Sequence, residues 1–206
     1  MIDPAGCDAA NAQLILSLTA RDWAVREKFI DIERVAALRA EAEALRAQGV
    51  FRAAGVGQGV RHREDIRGDQ VLWLDAEKMP QAHRFVNTEL EGLRQAINAA
   101  TYLGLYEFEG HFAAYVPGTS YARHLDQFQQ SQDRLVSVVL YLNADWADED
   151  GGELRLYVGG PEGETVVSVS PRAGTLVCFL SGRVPHEVAL ARRTRLSLTG
   201  WFRRRS

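Results

Sequence analysis

The sequence predicts an α+β protein, with helices in the first half of the chain and short strands in the second. Two patterns indicate this class. Apolar residues recur at helical spacing before about Gly110, and after it short strand-like segments are separated by turn residues such as Pro117-Gly118. Regularly spaced short strands are typical of a sandwich or barrel. We therefore expect such a core with helices packed against it, in a single domain that 206 residues can fill.

The helices of the first half follow from apolar stripes and their flanking residues. The strongest stripe begins after Asp31, which can act as its N-cap, and ends before Gly49. Thr88 and Glu91 fit a capping box at the start of another helix. The predicted helices are 9–18, 32–48 and 89–100.

The strands are predicted from short apolar segments bounded by glycine, proline and charged residues. One of them precedes the second half of the chain. Residues 55–69, before that strand, are rich in glycine and charge without a stable period, which predicts a mobile loop. The predicted strands are 70–75, 111–116, 134–143, 153–158, 164–170, 175–180, 187–190 and 195–202.

Composition excludes several classes of protein. A net charge of −3 gives no electrostatic reason to expect nucleic-acid binding. No apolar run is long enough for a membrane span, so we expect no membrane partner. Cys7 and Cys178 cannot form a disulfide framework, and residues 1–4 lack the features of a secretion signal. We therefore expect a cytoplasmic protein.

His124-Leu125-Asp126 is the first candidate site. Alternate side chains of a strand point the same way, so His124 and Asp126 can bind one metal ion. Alone the pair is weak evidence, because an exposed histidine beside a turn is the commoner case. His186 strengthens it, since two imidazoles and one carboxylate suit non-haem Fe(II) with open coordination positions. The alternative for His186 is a hydrogen-bonded histidine at a strand end.

The last predicted strand offers an anion site. Its alternation places Arg195, Thr199 and Trp201 on one face, opposite a face of apolar residues that can pack on helices. If the polar face lines a pocket, Arg195 can bind a carboxylate through two charge-assisted hydrogen bonds, and Thr199 can add a hydroxyl. If it faces water, Arg195 is merely solvated. Tyr141 can reach the same carboxylate, although a core tyrosine is the commoner interpretation.

Five segments extend this pattern of His124, Asp126, His186 and Arg195. They are DIRGDQVLW at 65–73, YVPGTSYARHLD at 115–126, YLNADW at 141–146, GGELR at 151–155 and PHEV at 185–188. Over about residues 50–202 the chain resembles the Fe(II)- and 2-oxoglutarate-dependent oxygenases of the prolyl 4-hydroxylase family. The oxygen-sensing (HIF-type) prolyl hydroxylases and their bacterial counterparts are the most similar members.

The resemblance implies a fold. It is a double-stranded β-helix, a jelly-roll or cupin-like core, flanked by N-terminal helices. Residues 110–206 would form the catalytic core. Residues 1–109 would supply the helices, a substrate loop over 55–69 and the first sheet strand, all packed on that core as one domain.

The resemblance also implies the cofactors. Fe(II), 2-oxoglutarate and O2 would be used, with ascorbate as a candidate reductant. The implied metal ligands are His124, Asp126 and His186, which with Arg195 would form the catalytic set. Arg195 would bind the far carboxylate of 2-oxoglutarate, in a pocket completed by Tyr141, Thr199, Tyr115 and Leu154.

The implied reaction is 4-hydroxylation of a proline in a protein substrate, with release of succinate and CO2. The residues implied to contact that proline are Tyr121, Arg134 and Trp201. Arg67 and Asp69 would pair at the base of the loop that closes over the substrate. Because the composition, with its abundant alanine and its arginine in place of lysine, suggests a bacterial source, a translation factor such as elongation factor Tu is the candidate partner. We expect a monomer.

Two other functions stay open from the sequence. One is hydroxylation of a small molecule, such as free proline, which an enclosed pocket would favour. The other is a non-catalytic sensor or binding module on the same barrel, against which the complete metal pattern and Arg195 weigh. A zinc hydrolase could use the same ligands, but its chemistry does not explain Arg195.

Overall fold

The computed structural model describes residues 9–55, 67–75, 81–127, 132–159 and 163–205. Within these ranges the chain forms three helices and eleven strands. The helices are α1 (Ala9–Arg21), α2 (Ile32–Ala47) and α3 (Gln81–Thr101). The strands are β1 (Trp23–Arg26), β2 (Arg52–Ala53), β3 (Asp69–Trp73), β4 (Leu105–Tyr115), β5 (Tyr121–His124), β6 (Arg134–Tyr141), β7 (Leu154–Val158), β8 (Thr165–Val169), β9 (Leu176–Leu180), β10 (His186–Val188) and β11 (Arg195–Arg204).

The predicted helix over 32–48 is confirmed together with its ends. The Asp31 side chain accepts a hydrogen bond from the Arg34 backbone N–H, at 2.8 Å, which satisfies one of the free donors of the first turn. Gly49 follows the helix with φ of +71°, a conformation that favours glycine.

The predicted start of α3 is wrong. The helix begins at Gln81, so Thr88 lies in its second turn and its hydroxyl donates to the Arg84 carbonyl instead of capping. Glu91 pairs with Arg94, one turn further along the same helix. A capping box and a mid-helix threonine share the same spacing, and the earlier residues of the helix decided between them.

The strands form two sheets that lie face to face. The larger has the order β1-β9-β6-β11-β4-β3-β2 and the smaller the order β5-β10-β7-β8. Each predicted strand has a counterpart, and the sequence did not delimit β1, β2 and β5. These three are short, so they show little alternation of apolar and polar residues. Residues 124–126, expected to share a strand, divide between the end of β5 and the bend after it. An α+β fold with a jelly-roll core is confirmed.

Alternation along the large sheet separates two cores. One face of β11 places Leu196, Leu198 and Phe202 in a cluster with the helices. Its other face turns towards the small sheet, where a second cluster joins residues of both sheets. The helices therefore cover the outer face of the large sheet, and the candidate site lies between the two sheets.

The start of β11 is held by a side chain of the YLNADW segment. The buried Asn143 amide donates to the carbonyls of Pro171 and Leu196 and accepts from the Leu196 N–H. These bonds tie the ends of β6 and β11 together, next to Arg195. Within the described ranges, none of the helices combines the length and apolar character that crossing a membrane requires.

Candidate active site

Three side chains that could bind one metal ion meet between the sheets. His124 ends β5, His186 begins β10, and these two residues are directly paired across the small sheet. Asp126 follows in the bend after β5. The Nε2 atoms of His124 and His186 lie 3.5 and 3.6 Å from the Asp126 carboxylate, and the ligand atoms of the group all lie within 4.8 Å of one another.

Backbone carbonyls orient both imidazoles. Nδ1 of His124 lies 2.8 Å from the Ala122 carbonyl, and Nδ1 of His186 lies 3.1 Å from the Val184 carbonyl. Because a carbonyl only accepts, each Nδ1 carries the proton and each Nε2 presents a lone pair towards Asp126. Such bonds fix the tautomer that a metal ligand needs.

The electrostatics keep the group ready to bind a cation. Burial raises the pKa of Asp126, but the positive charge that His186 and His124 carry when they are protonated in acid, together with the hydrogen bond from Ser137, outweighs it and holds the pKa well below its usual range. Ser137 donates at 2.6 Å and also contacts the Ser181 hydroxyl at 2.9 Å. Burial lowers the pKa of His186 to about 4, so its ring is neutral at pH 7.

Arg195 lies at the deep end of the same pocket. It is 2% exposed, and its Nε donates to the Gly152 carbonyl at 2.9 Å. Its guanidinium carbon lies 5.0 Å from the ring centres of both Tyr115 and Tyr141. Among the residues that the structure describes, no carboxylate forms an ion pair with Arg195. A buried cation without a counter-charge is unusual, and it points to an anionic ligand.

Tyr141 is a second buried polar residue at this end of the pocket. It is fully buried, and its hydroxyl has no hydrogen-bond partner within the described ranges. Burial raises the pKa of Tyr141 to about 12, although Arg195 acts in the opposite direction. Gly152 packs tightly against Arg195, because a β-carbon there would lie 3.1 Å from Cδ of Arg195. Its φ of +68° also favours glycine. Thr199 lines the pocket, and its hydroxyl lies 3.0 Å from that of Ser197.

The mouth of the pocket is aromatic. Tyr121 stacks on His124 with ring centres 3.6 Å apart. The Arg134 guanidinium lies 3.5 Å from the ring centre of Trp201, and Trp73 stands beside it, half exposed. These rings, with the Arg134 guanidinium packed on Trp201, form the wall of the cavity beside the metal group.

The Arg67–Asp69 pair expected at the base of the loop is present. Arg67 donates to Asp69 from two nitrogens, at 2.6 and 2.9 Å, and its guanidinium carbon lies 4.7 Å from the ring centre of Tyr121. Burial would lower the pKa of Arg67, but the bonds to Asp69 raise it above its usual value. Residues 56–66, which make up most of the predicted loop, lie outside the described residues.

Comparison with known proteins places this geometry in a family. Residues 110–203 match the 2OG-Fe(II) oxygenase superfamily. A prolyl-4-hydroxylase structure from Pseudomonas putida superposes with a TM-score of 0.87 at 43% identity, over 95% of this chain and all of that one. The chain belongs to the 2OG-Fe(II) oxygenases.

Two further proteins are similar to this chain over most of its length. Human Egl nine homolog 1 is 33% identical over 156 residues, which are 71% of this chain and 35% of that protein. A prolyl hydroxylase from Trichoplax adhaerens, in complex with a hypoxia inducible factor oxygen degradation domain peptide fragment, gives a TM-score of 0.84 at 27% identity, over 94% and 88% of the chains. The chain thus spans about a third of the length of the human relative.

The oxygenase site fits the family's Fe(II), 2-oxoglutarate and O2. Two imidazoles and one carboxylate with open positions are the donor set of non-haem Fe(II) oxygenases. The unpaired Arg195 and the unpartnered Tyr141 hydroxyl are the groups that a carboxylate in the deep end would satisfy.

The structure brings most predicted residues of this oxygenase to one pocket. Tyr141 lies behind Arg195 in contact with it, and Arg134 lies at the mouth; the pocket walls include Arg67, Asp69, Tyr115, Tyr121, His124, Asp126, Leu154, His186, Arg195, Thr199 and Trp201.

Two residues of the site were missed from the sequence. His111 lines the pocket, and the alternation of β4, which puts His111 on the same face as Tyr115, could have identified it. Ser137 shares a face of β6 with Val139 and Tyr141, but its bond to Asp126 depends on a loop that no local pattern places.

Proposed function

We propose that this oxygenase is a peptidyl-prolyl 4-hydroxylase. In this reaction O2 is split between two products: one oxygen atom enters a proline C–H bond, and the other enters the succinate formed when 2-oxoglutarate loses CO2. The relatives named as prolyl hydroxylases support the reaction class. The single observation that carries the proposal is the His124, Asp126 and His186 group with an unpaired, buried Arg195 beyond it.

Each residue then has a role. His124, Asp126 and His186 would hold the ferrous ion, which supplies the oxidising chemistry when bound. Arg195 and the Tyr141 hydroxyl would bind the far carboxylate of 2-oxoglutarate, with Thr199 beside them. Tyr115 and Leu154 would form the walls that exclude water from this end.

The substrate would enter at the aromatic mouth. Tyr121, Arg134 and Trp201 surround the opening, so a proline ring could lie against them and face the metal group. The half-exposed Trp73 extends this surface outwards, which favours a chain that continues beyond the pocket over a free amino acid. The paired Arg67 and Asp69 would form the wall beside this opening.

For the partner we propose a protein with an accessible proline in a loop. A translation factor such as elongation factor Tu is the first candidate, and the similarity to a bacterial prolyl-4-hydroxylase supports a bacterial substrate. The cytoplasmic location and the monomeric state stay predictions.

The experiment compares proteins of the source cell with the active enzyme and with the Asp126→Ala variant. Mass spectrometry should find a proline that gains the mass of one oxygen atom only with the active enzyme. Conversion of 2-oxoglutarate to succinate, measured in parallel without any peptide, separates the alternatives. Succinate formation with free proline and no modified protein would support the small-molecule hydroxylase. No succinate under any condition would support the binding module.

A further inference from the structure

His111 is a buried polar residue of the pocket that has no role in the proposed machinery. It lies on β4, paired with Thr199 on one side and Trp73 on the other. It is 2% exposed, and its ring packs against both the Trp73 and the Trp201 rings, with centre separations of 4.8 and 5.5 Å. It therefore belongs to the aromatic wall of the pocket that the metal group also lines.

Neither ring nitrogen of His111 has a hydrogen-bond partner in the described part of the chain. The same holds for Nε1 of Trp201, its neighbour in the wall. Buried polar groups are almost always paired, because leaving one unpaired costs more than a single hydrogen bond usually contributes. Two unpaired groups side by side in one wall indicate a ligand that supplies partners when it binds.

The charge state of His111 limits what that ligand is. Burial, with a smaller contribution from Arg67, lowers the pKa of His111 to about 4. The ring is therefore neutral at pH 7, with one N–H donor and one acceptor nitrogen, and the Trp201 indole is a donor only. The two ring donors are uncharged and suit carbonyl oxygens. The guanidinium groups nearby, Arg134 and Arg67, are paired with Glu109 and Asp69, so an anion would be drawn to Arg195 instead.

Proline has an unusual set of backbone groups. Its nitrogen carries no hydrogen, so within a peptide it offers acceptors and no donor of its own. A pocket that orients a prolyl residue through main-chain hydrogen bonds must therefore supply N–H or O–H donors. Hydrogen bonds from this wall to the peptide main chain would not depend on which side chains flank the proline.

We propose that His111 is a substrate-positioning residue. Its N–H donates to the main-chain carbonyl of the target proline, next to the Trp201 N–H. The acceptor nitrogen of His111 then faces the N–H of the following residue or a water molecule. This inference rests on the proposed function, because it needs a peptide as substrate. It adds a residue that binds the main chain of that peptide and not its side chains.

The test uses the iron-loaded protein and a short synthetic peptide that spans the proline found modified in the lysate comparison. His111→Phe keeps an aromatic ring in the wall but removes both nitrogens. We expect the KM for the peptide to rise roughly tenfold, as for the loss of one hydrogen bond in a buried site, with little change in the KM for 2-oxoglutarate. His111→Asn, which keeps a donor and an acceptor, should recover much of the loss.

The matched control is His83→Gln. His83 is also buried and has an unpartnered Nε2, but it lies on α3 behind Phe112, outside the pocket. We expect this variant to leave the KM for the peptide near that of the unsubstituted protein. Melting temperatures of all variants show whether a change in KM follows from lost stability.

A second measurement changes the peptide instead of adding another substitution to the protein. Replacing the amide after the target proline with an ester weakens the carbonyl acceptor and removes the next N–H. The unsubstituted protein should bind this ester peptide more weakly than the amide, and His111→Phe should show a smaller difference. Equal effects of the ester in both proteins, or an unchanged KM in His111→Phe, overturn the inference while the hydroxylase stands. If the unsubstituted protein converts no peptide, the proposed function fails and the inference fails with it.

Discussion

The two ends of the pocket differ in how their polar groups are left unsatisfied. The deep end holds a buried cation, Arg195, and the unpartnered hydroxyl of Tyr141. The mouth holds neutral donors, His111 and Trp201, within an aromatic wall. The first arrangement suits a small dianion and the second an uncharged chain. A single cavity thus combines a cationic end with a wall whose ring donors are uncharged.

The largest effect is expected where both ends depend on one residue. Asp126→Ala removes the carboxylate that both imidazoles face, so we expect loss of bound iron and of 2-oxoglutarate turnover. Metal analysis and succinate assays check this. Asp148→Ala, at an exposed aspartate of the short 3-10 helix between β6 and β7, is the control and should retain both. Full turnover by Asp126→Ala would remove that residue from the metal group.

A substitution at the deep end should affect only the cosubstrate. Arg195→Ala leaves the carboxylate of 2-oxoglutarate without its cation, and we expect its KM to rise roughly a hundredfold, as for truncation of a buried charged partner. Iron binding and the affinity for the peptide should change little. Arg183→Ala, at an exposed arginine, provides the control. An unchanged requirement for 2-oxoglutarate would move the anchor elsewhere.

His83, a buried histidine outside the pocket, should make the stability of the protein depend on pH. Burial lowers the pKa of His83 to about 4, below its ordinary value of 6.5. Since the unfolded chain takes up this proton first, stability falls as pH decreases from 7 towards 5, by about 2 kcal/mol for one such group. His83→Gln should reduce this fall by about that amount in urea unfolding. An identical pH profile in the variant would show that His83 titrates normally.

The hydroxyl at the deep end should separate stability from binding. In Tyr141→Phe the free protein loses a hydroxyl that has no hydrogen-bond partner within the described ranges, so its melting temperature should stay the same or rise. The KM for 2-oxoglutarate should nevertheless increase roughly tenfold, because a hydrogen bond to a charged group is lost. A lower melting temperature with unchanged KM would assign Tyr141 to the core alone.

The smallest effect is expected at the rim of the mouth. Arg134→Ala removes the cation that packs on Trp201 and its long ion pair to Glu109, at 3.4 Å. We expect the KM for the peptide to rise about threefold, in line with an exposed cation–π contact of roughly 0.5–1 kcal/mol. The KM for 2-oxoglutarate should not follow it. Parallel increases in both KM values would contradict the assignment of the peptide and 2-oxoglutarate to separate ends of the pocket.

Much of the fold was predictable because it depends on local pattern. The faces of β11 follow from alternation, and the structure places Leu196 with the helices and Arg195 in the pocket as expected. The start of α3 was not predictable in this way, because Thr88 has the same spacing to Glu91 in a cap and in a helix interior. The short strands β1, β2 and β5 are defined by their partners rather than by their own residues.

By itself the sequence determined which residue types were available and which side chains share a strand face, since the pleat repeats every two residues. The tertiary structure alone decided which faces meet. His186 lies opposite His124, and Arg195 opposite Tyr115, through pairings between strands far apart in the chain. It also placed the His111 ring beside Trp201, with no hydrogen-bond partner for its nitrogens among the described residues. The physical reason is that strand register and sheet packing depend on the sum of many distant contacts, which no local spacing records.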